Sequence, residues 1–204
     1  MTDLAHDAHS THSGHGTTNT GVSNEKVAMW AFLGSECLLF GALISTYFLY
    51  RGKHFTGVKP EELYDIPYTS VSSFVLLMSS LTMVLALAAI QRGDHRGLRV
   101  WLLATATLGM VFIGGQIYEF TTFVDEGMKL SSSPAASAFF LLTGFHGAHV
   151  TVGIFMLLLL LGMSLAGRLV TADARKVELV GLYWHFVDIV WIVVFTVVYL
   201  IPLR

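Results

Sequence analysis

Glu36, Glu119, His146, His149, His185 and Asp188 are the side chains of this sequence whose types and spacing suit chemistry. Glu36 lies inside Val27-Ala-Met-Trp-Ala-Phe-Leu-Gly-Ser-Glu36-Cys-Leu-Leu-Phe-Gly-Ala-Leu-Ile-Ser-Thr-Tyr47, a run otherwise apolar or small and long enough to cross a bilayer. An acidic group at that depth costs about 3 kcal/mol or more, so it needs a partner, a proton or a task. His146 with His149, and His185 with Asp188, are i,i+3 pairs that share a helix face. Glu119 falls near the end of its own apolar run, where a carboxylate is expected to reach interfacial water.

Two chemistries suit such groups, metal binding and proton handling. Histidine and carboxylate are ordinary metal ligands. However, no Cys-x-x-Cys-His haem attachment is present, and Cys37 is the lone cysteine, which excludes a paired-cysteine copper centre and an internal disulfide. Nucleophile, P-loop and dinucleotide signatures are missing as well. A hydrogen-bonded network, proton-handling or structural, is the better expectation, with no metal and no cofactor held by this chain. Glu36 as a proton-bearing group and Glu36 as a plain lock between two helices remain open side by side.

The elements that must position these groups follow from composition. Hydrophobic residues make up 54% of the 204 residues and charged residues 13%, against about 25% charged in soluble domains. The chain is therefore expected to be an integral membrane protein, and its net charge of −2, without a basic patch, gives no sign of nucleic-acid binding. Apolar runs at about 27–50, 68–91, 99–123, 137–166 and 178–202 each exceed the ~20 residues that a helix needs to cross hydrocarbon. Helices are required because open strands leave backbone groups unpaired in lipid. The expected fold is all-α, a transmembrane bundle of five helices over residues 26–204, behind a polar tail at 1–25. The tail lacks the apolar core of a signal peptide, so no cleavage is expected. Its His6, His9, His12 and His15 recur every third residue, and a solvated tail is favoured over a labile metal site. Pro60 and Pro134 are expected in loops, Pro67 at a helix start and Pro202 at the last turn.

Depth arithmetic brings some of the polar groups together. Glu36 is about 14 Å past the start of the first run, and His149 about 18 Å into a run entering from the opposite face. Across a core of ~30 Å the two reach nearly one level. His185, about 11 Å into the fifth run, lies a little below. Glu36 is thus expected to meet His149, with His185 as a further neighbour, and to keep its proton because hydrocarbon disfavours a bare charge. Gly144, Gly147, Ala148 and Thr151 offer small helix faces for close packing. Trp30, Tyr47, Tyr50, Trp101, Tyr118, Tyr183 and Trp184 are expected in the aromatic belts at the membrane surfaces. Lys26, Arg92, Arg96, Arg99, Arg168, Arg175 and Lys176 outnumber Arg51, Lys53, Lys59, Lys129 and Arg204 on the other side. The positive-inside rule then puts the N-terminus in the cytoplasm and the C-terminus outside.

On spacing alone the chain is a membrane subunit or a small proton-coupled transporter. It shows no internal repeat and no short, broken helix pair of the kind transporters use.

Four segments carry a resemblance. Phe32-Leu-Gly-Ser-Glu36-Cys-Leu-Leu-Phe40 resembles the glutamate-bearing segment of subunit III of haem–copper respiratory oxidases. Gly115-Gln-Ile-Tyr-Glu119-Phe is similar to that family's next acidic segment. Gly144-Phe-His146-Gly-Ala-His149-Val-Thr-Val-Gly153 and Tyr183-Trp184-His185-Phe-Val-Asp188-Ile-Val-Trp191 resemble its two histidine segments. They occur in the family's order on four separate runs, and the likeness extends from Val27 to the C-terminus. The resemblance implies the short bacterial form with five helices, in the bacterial plasma membrane. It implies a subunit without redox centres, packed on catalytic subunit I, with subunit II and a small subunit IV as further partners. Haem and copper then belong to partner subunits, and phospholipid fills a cleft. The implied roles are support of proton uptake, protection of the active site during turnover and passage of oxygen through lipid. Glu36 matches the family's carbodiimide-reactive glutamate, and Glu119, His146, His149, His185 and Asp188 match its other polar positions. Cytochrome c is the expected electron donor from Gln91-Arg-Gly-Asp94 and the His146 segment, and quinol, suggested by the His-rich tail, is the alternative.

Overall fold

The computed structural model describes residues 23–51 and 66–201. The tail histidines, Pro60, Pro202, Lys53, Lys59 and Arg204 lie outside the described residues. Five long helices are present: α1 (Asn24–Tyr50), α2 (Ile66–Gln91), α3 (His95–Asp125), α4 (Pro134–Leu165) and α5 (Ala174–Phe195), the last continued by a wider π turn at Thr196–Leu200. All five are long and apolar enough to span a membrane. They coincide closely with the five apolar runs, because hydropathy and the need to satisfy backbone groups act on the same residues.

Local chemistry sets the helix ends. After α2 the chain turns at Gly93, whose φ of 76° lies in the left-handed region that favours glycine. The amide of Asp94 then donates to the Ala89 carbonyl. The Asp94 side chain in turn accepts from the amides of Arg96 and Gly97 and so caps α3. Arg92, Gly93 and Asp94 thereby fold α2 and α3 into a tight antiparallel pair. Pro134 departs from its expected loop position, being the first residue of α4, with Ser133 capping it by accepting from the Ala136 amide. Proline suits that position because the first-turn amide it lacks has no helical partner anyway.

Helices α2 to α5 form a ring in which α2 packs on α3, α3 on α4, α4 on α5 and α5 back on α2. Helix α1 rides outside this ring on α4 and α5. Its buried residues are Leu33, Phe40 and Tyr47, a single line at seven-residue spacing flanked by the partly buried Met29, Leu43 and Ile44, and Trp30, Phe32, Leu38, Phe48 and Leu49 face outward. The Arg51 guanidinium at the end of α1 donates to the carbonyls of Val197 and Ile201 and lies 5.8 Å from the Tyr47 ring centre. It thus caps carbonyls that the closing turn of α5 leaves open. At the other end Lys26 pairs with Glu178 at 2.6 Å, and Arg175 with Glu25 at 3.2 Å.

A tightly packed junction of α2, α3, α4 and α5 is built around Trp184, which is 1% exposed. Gly109 of α3 and Gly153 of α4 face its ring, and its indole N–H donates to Ser79 of α2 at 2.9 Å. Tyr47, Tyr183 and Trp184 are therefore core residues rather than members of an interfacial belt, because the bundle supplies each a tightly packed slot. Trp30, Tyr50 and Tyr118 keep exposed rings near helix ends. The small residues Gly144, Gly147, Ala148 and Thr151 also depart from a close-packing role within this chain. A Cβ at Gly144 would meet nothing within 4 Å, and at Gly147 only Ile113 at 4.0 Å. Gly144, Gly147 and Thr151 border an open groove of about 200 Å³.

A Cβ on Gly109 or Gly153 would sit 2.6 or 2.8 Å from Trp184 atoms. Each alanine replacement is expected to destabilise the bundle by about 1–3 kcal/mol through overpacking. Gly144→Ala is expected to be neutral for the bundle itself. Thermal unfolding of the three variants in detergent is the measurement, and equal effects at Gly144 and Gly153 would contradict the packing described.

Candidate functional site

The six candidate side chains, Glu36, Glu119, His146, His149, His185 and Asp188, fall in four separate places. The first is the pair at the junction of α1 and α4. Glu36 Oε2 lies 3.0 Å from His149 Nε2, with side chains 15% and 17% exposed. His149 Nδ1 is 2.8 Å from the Phe145 carbonyl, one turn earlier in α4. A carbonyl only accepts, so Nδ1 carries a hydrogen and Nε2 of a neutral ring is a bare lone pair. The Glu36–His149 contact then holds a single proton, either on the carboxyl or on an imidazolium facing a carboxylate. Phe40 stands edge-on to the His149 ring at 5.1 Å, and the Tyr183 hydroxyl donates to the His149 carbonyl. Beside the pair runs a groove of about 340 Å³ lined by Met29, Phe32, His149, Val152, Met156 and Tyr183.

The second place is His146, 0% exposed and one turn from His149. Its ring stacks on Trp191 at 4.8 Å and meets the edges of Phe112 and Phe40. Neither ring nitrogen has a hydrogen-bond partner among the described residues. His146 does share the helix face of His149, but it packs as an aromatic ring rather than joining the pair.

Glu119 is the third. It is only 4% exposed, not open to interfacial water as its position near a run end suggested. Its Oε1 accepts from Thr69 of α2 at 3.0 Å and from Tyr199 at the end of α5 at 3.0 Å. Its Oε2 accepts from Gln116 at 3.2 Å. Three donors from three elements make this carboxyl a structural node, because an acceptor so fully used is shielded from further exchange.

The fourth comprises His185 and Asp188. His185 does not reach Glu36; its Nδ1 lies 3.1 Å from the Ser80 hydroxyl, which also donates to Asp188 Oδ2. Sequence reasoning passed over the α2 hydroxyls that organise these places. Thr69, Ser73 and Ser80 follow one another by four and seven residues and so share a face. That face meets Tyr199 through Glu119, the Trp191 indole at 2.8 Å, and the Asp188 pair. The spacing was a usable signal, since polar side chains recurring on one face of an apolar helix mark the side that meets other helices.

Among the described residues, no three His, Cys, Asp or Glu side chains come together as metal ligands. The hydrogen-bonded polar groups join helices to one another.

A family model described as cytochrome c oxidase subunit III matches residues 2–202. The chain belongs to the cytochrome c oxidase subunit III family. It is 38% identical over 199 residues to the quinol oxidase subunit 3 of Bacillus subtilis (strain 168), covering 94% of this chain and 98% of that one. It is 40% identical over 177 residues to the cytochrome c oxidase subunit 3 of Bacillus sp. (strain PS3), covering 87% and 86%. A probable quinol oxidase subunit 3 of Staphylococcus aureus (strain NCTC 8325 / PS 47) is 36% identical over 195 residues, covering 95% and 96%. The chain is therefore subunit III of a haem–copper-type oxidase, a multi-pass membrane protein and one component of a multi-subunit oxidoreductase complex. A stand-alone transporter is set aside by that membership. The oxidase subunit III resemblance read from the Glu36, Glu119, His146 and His185 segments is thereby established at the level of the whole chain.

Replacing Glu119 by Leu would strand the Thr69, Tyr199 and Gln116 donors in the core. Unsatisfied buried donors cost about 1–3 kcal/mol each, so this is expected to be the most destabilising change among the polar positions. Glu119→Gln is expected to be mild, since Gln116 can turn its amide to offer oxygen instead of nitrogen. Membrane levels and melting temperatures of the two variants check this, and equal losses would refute the node.

Proposed function

We propose that this chain is the accessory subunit of a proton-translocating terminal oxidase, packed on catalytic subunit I and carrying no redox centre. The haem and copper lie in partner subunits, with subunit II and a small subunit IV completing the complex. The observation that carries this reading is the position of the Glu36–His149 pair. It joins the most sparsely covered helix, α1, to α4 at the bundle's edge, with its side chains still 15% and 17% exposed. A proton-sharing pair at mid-membrane depth is costly against lipid but well placed against a protein neighbour. In this role the pair steadies proton supply to the catalytic subunit and prolongs its working life. Phospholipid chains occupy the apolar groove beside Phe32 and His149, whose shape and lining suit an acyl chain.

The proposed membrane is the bacterial plasma membrane, with the N-terminus cytoplasmic and the C-terminus outside. Supporting this, Lys26, Arg92, Arg96, Arg99, Arg168, Arg175 and Lys176 all belong to one end of the bundle. The contacts Lys26–Glu178 and Arg99–Ser164 tie that end together. Arg51 and Lys129 are the basic residues of the other end among the described residues.

Electrons enter through partner subunits, from cytochrome c in the first reading. Quinol is the second, favoured by one observation. The Bacillus subtilis quinol oxidase match takes in 94% of the chain and so extends into the N-terminal tail, since residues 26–204 are 179 of 204, or 88%.

Glu36→Gln tests the role of the pair. The variant complex is expected to assemble normally and to begin oxygen reduction at the wild-type rate. It should then lose activity severalfold sooner, measured as turnovers before inactivation in an oxygen electrode. An unchanged lifetime with full assembly would reduce Glu36 to a helix lock.

A further inference from the structure

Ser80 of α2 stands between two ionisable side chains of α5. Its hydroxyl donates to Asp188 Oδ2, and its oxygen lies 3.1 Å from His185 Nδ1. A serine hydroxyl has one hydrogen to give. While that hydrogen goes to an Asp188 carboxylate, His185 must carry a hydrogen on Nδ1 and donate it to Ser80, which leaves Nε2 as a lone pair. The same three atoms fit a second arrangement. There, protonated Asp188 donates to Ser80, Ser80 donates to a bare Nδ1, and the hydrogen of His185 is on Nε2. The two arrangements differ by one proton, which enters at Nε2 and ends on Asp188.

The surroundings suit loading and unloading. Asp188 is 4% exposed, and its Oδ1 has no hydrogen-bond partner among the described residues. Its carboxylate is thus held by one donor, where Glu119 is held by three. His185 is half-buried, and its Nε2 is not enclosed as Asp188 Oδ1 and both His146 nitrogens are. It lies eleven residues into α5, about 16 Å along the helix. Among the described residues, no other ionisable side chain of the neighbouring helices bonds to the trio. Helix α2 has only Tyr68 besides, which is on the Gly115 carbonyl. On α4, His146 is against Trp191 and His149 against Glu36. On α1, Glu25 and Lys26 are paired with Arg175 and Glu178, and on α3 Glu119 is bound to Tyr199.

We propose that Ser80, His185 and Asp188 form a proton-loading site, in which a proton delivered to His185 Nε2 by water or a donor side chain is passed through the Ser80 hydroxyl to Asp188. The new Nε2–H bond forms as the Nδ1–H bond breaks toward Ser80 Oγ. The Ser80 O–H bond breaks as Oδ2–H forms on Asp188. One positive charge enters and one carboxylate is neutralised, with no oxidation or reduction. His185 is the port, Ser80 the relay and Asp188 the store. This goes beyond the reading of the Glu36–His149 pair and stands without it.

The test is a light-triggered pH jump on the assembled oxidase complex, followed by time-resolved infrared absorption. The carboxylic C=O band of Asp188 is the one that Asp188→Asn removes. Ser80→Ala is expected to keep that band at equilibrium but slow its appearance about a hundredfold, within the range a positioned proton carrier contributes. Ser80→Thr, which retains the hydroxyl, should restore the rate, and His185→Gln should slow it as Ser80→Ala does. A purely structural Ser80 would lower stability and leave the rate untouched. Wild-type rates in Ser80→Ala, or a carboxylic band unaffected by Asp188→Asn, would overturn the proposal. Should Ser80→Ala fail to assemble, an unslowed His185→Gln would overturn it equally.

Discussion

Hydrocarbon offers no hydrogen-bond partner, and the arrangement of this chain depends on that fact. Every polar group between the membrane surfaces must find its partner in the protein or carry the cost of lacking one. The consequence is visible along α2, where Thr69, Ser73, Ser79 and Ser80 each meet a side chain of another helix. The two buried tryptophans of α5 are positioned by their indole hydrogens as well as by packing. Such bonds are worth about 1 kcal/mol each, yet leaving one end unmade costs more. The α2–α5 seam is consequently specific in register, and it fixes where Asp188 and His185 stand.

The same constraint distinguishes structure from function among the carboxyls. Glu119 has three donors drawn from α2, α3 and the end of α5, and it holds those elements together. Glu36 shares one contact with His149 at the rim, and Asp188 has one donor with an oxygen left over. Groups held this lightly are the ones to which we assign proton exchange, because losing one contact leaves the bundle's other bonds in place. Helix α1, buried along one line only, supplies Glu36 and the largest stretch of outward apolar surface, as befits a component of a larger complex.

Much of the fold was legible because hydropathy over long runs is a strong signal. The five runs and the shared level of Glu36 and His149 follow from length and rise per residue. The side to which a residue points was harder to read. Tyr183 and Trp184 look like belt residues by position, and only the facing glycines Gly109 and Gly153 reveal the slot that encloses the indole. The small face at Gly144 and Gly147 looks like a packing seam but is open in this chain. Ser and Thr in apolar runs often bond back to their own helix, as Thr46, Thr107 and Thr151 do here, which hid the α2 hydroxyls that reach across. Glu119 seemed near water because its distance along the helix says nothing of the Tyr199 hydroxyl folded over it.

These strands meet in one account: a membrane-embedded subunit of an oxidase complex, for which we propose the holding and passing of protons beside a catalytic partner. The most direct test is purification through this chain in mild detergent. The optical spectrum of the product is recorded, and oxygen uptake is measured with reduced cytochrome c and with quinol. The account predicts haem absorbance with oxygen consumption, the faster donor naming the type of oxidase. A colourless, inactive product from membranes whose respiratory complexes remain intact would contradict it.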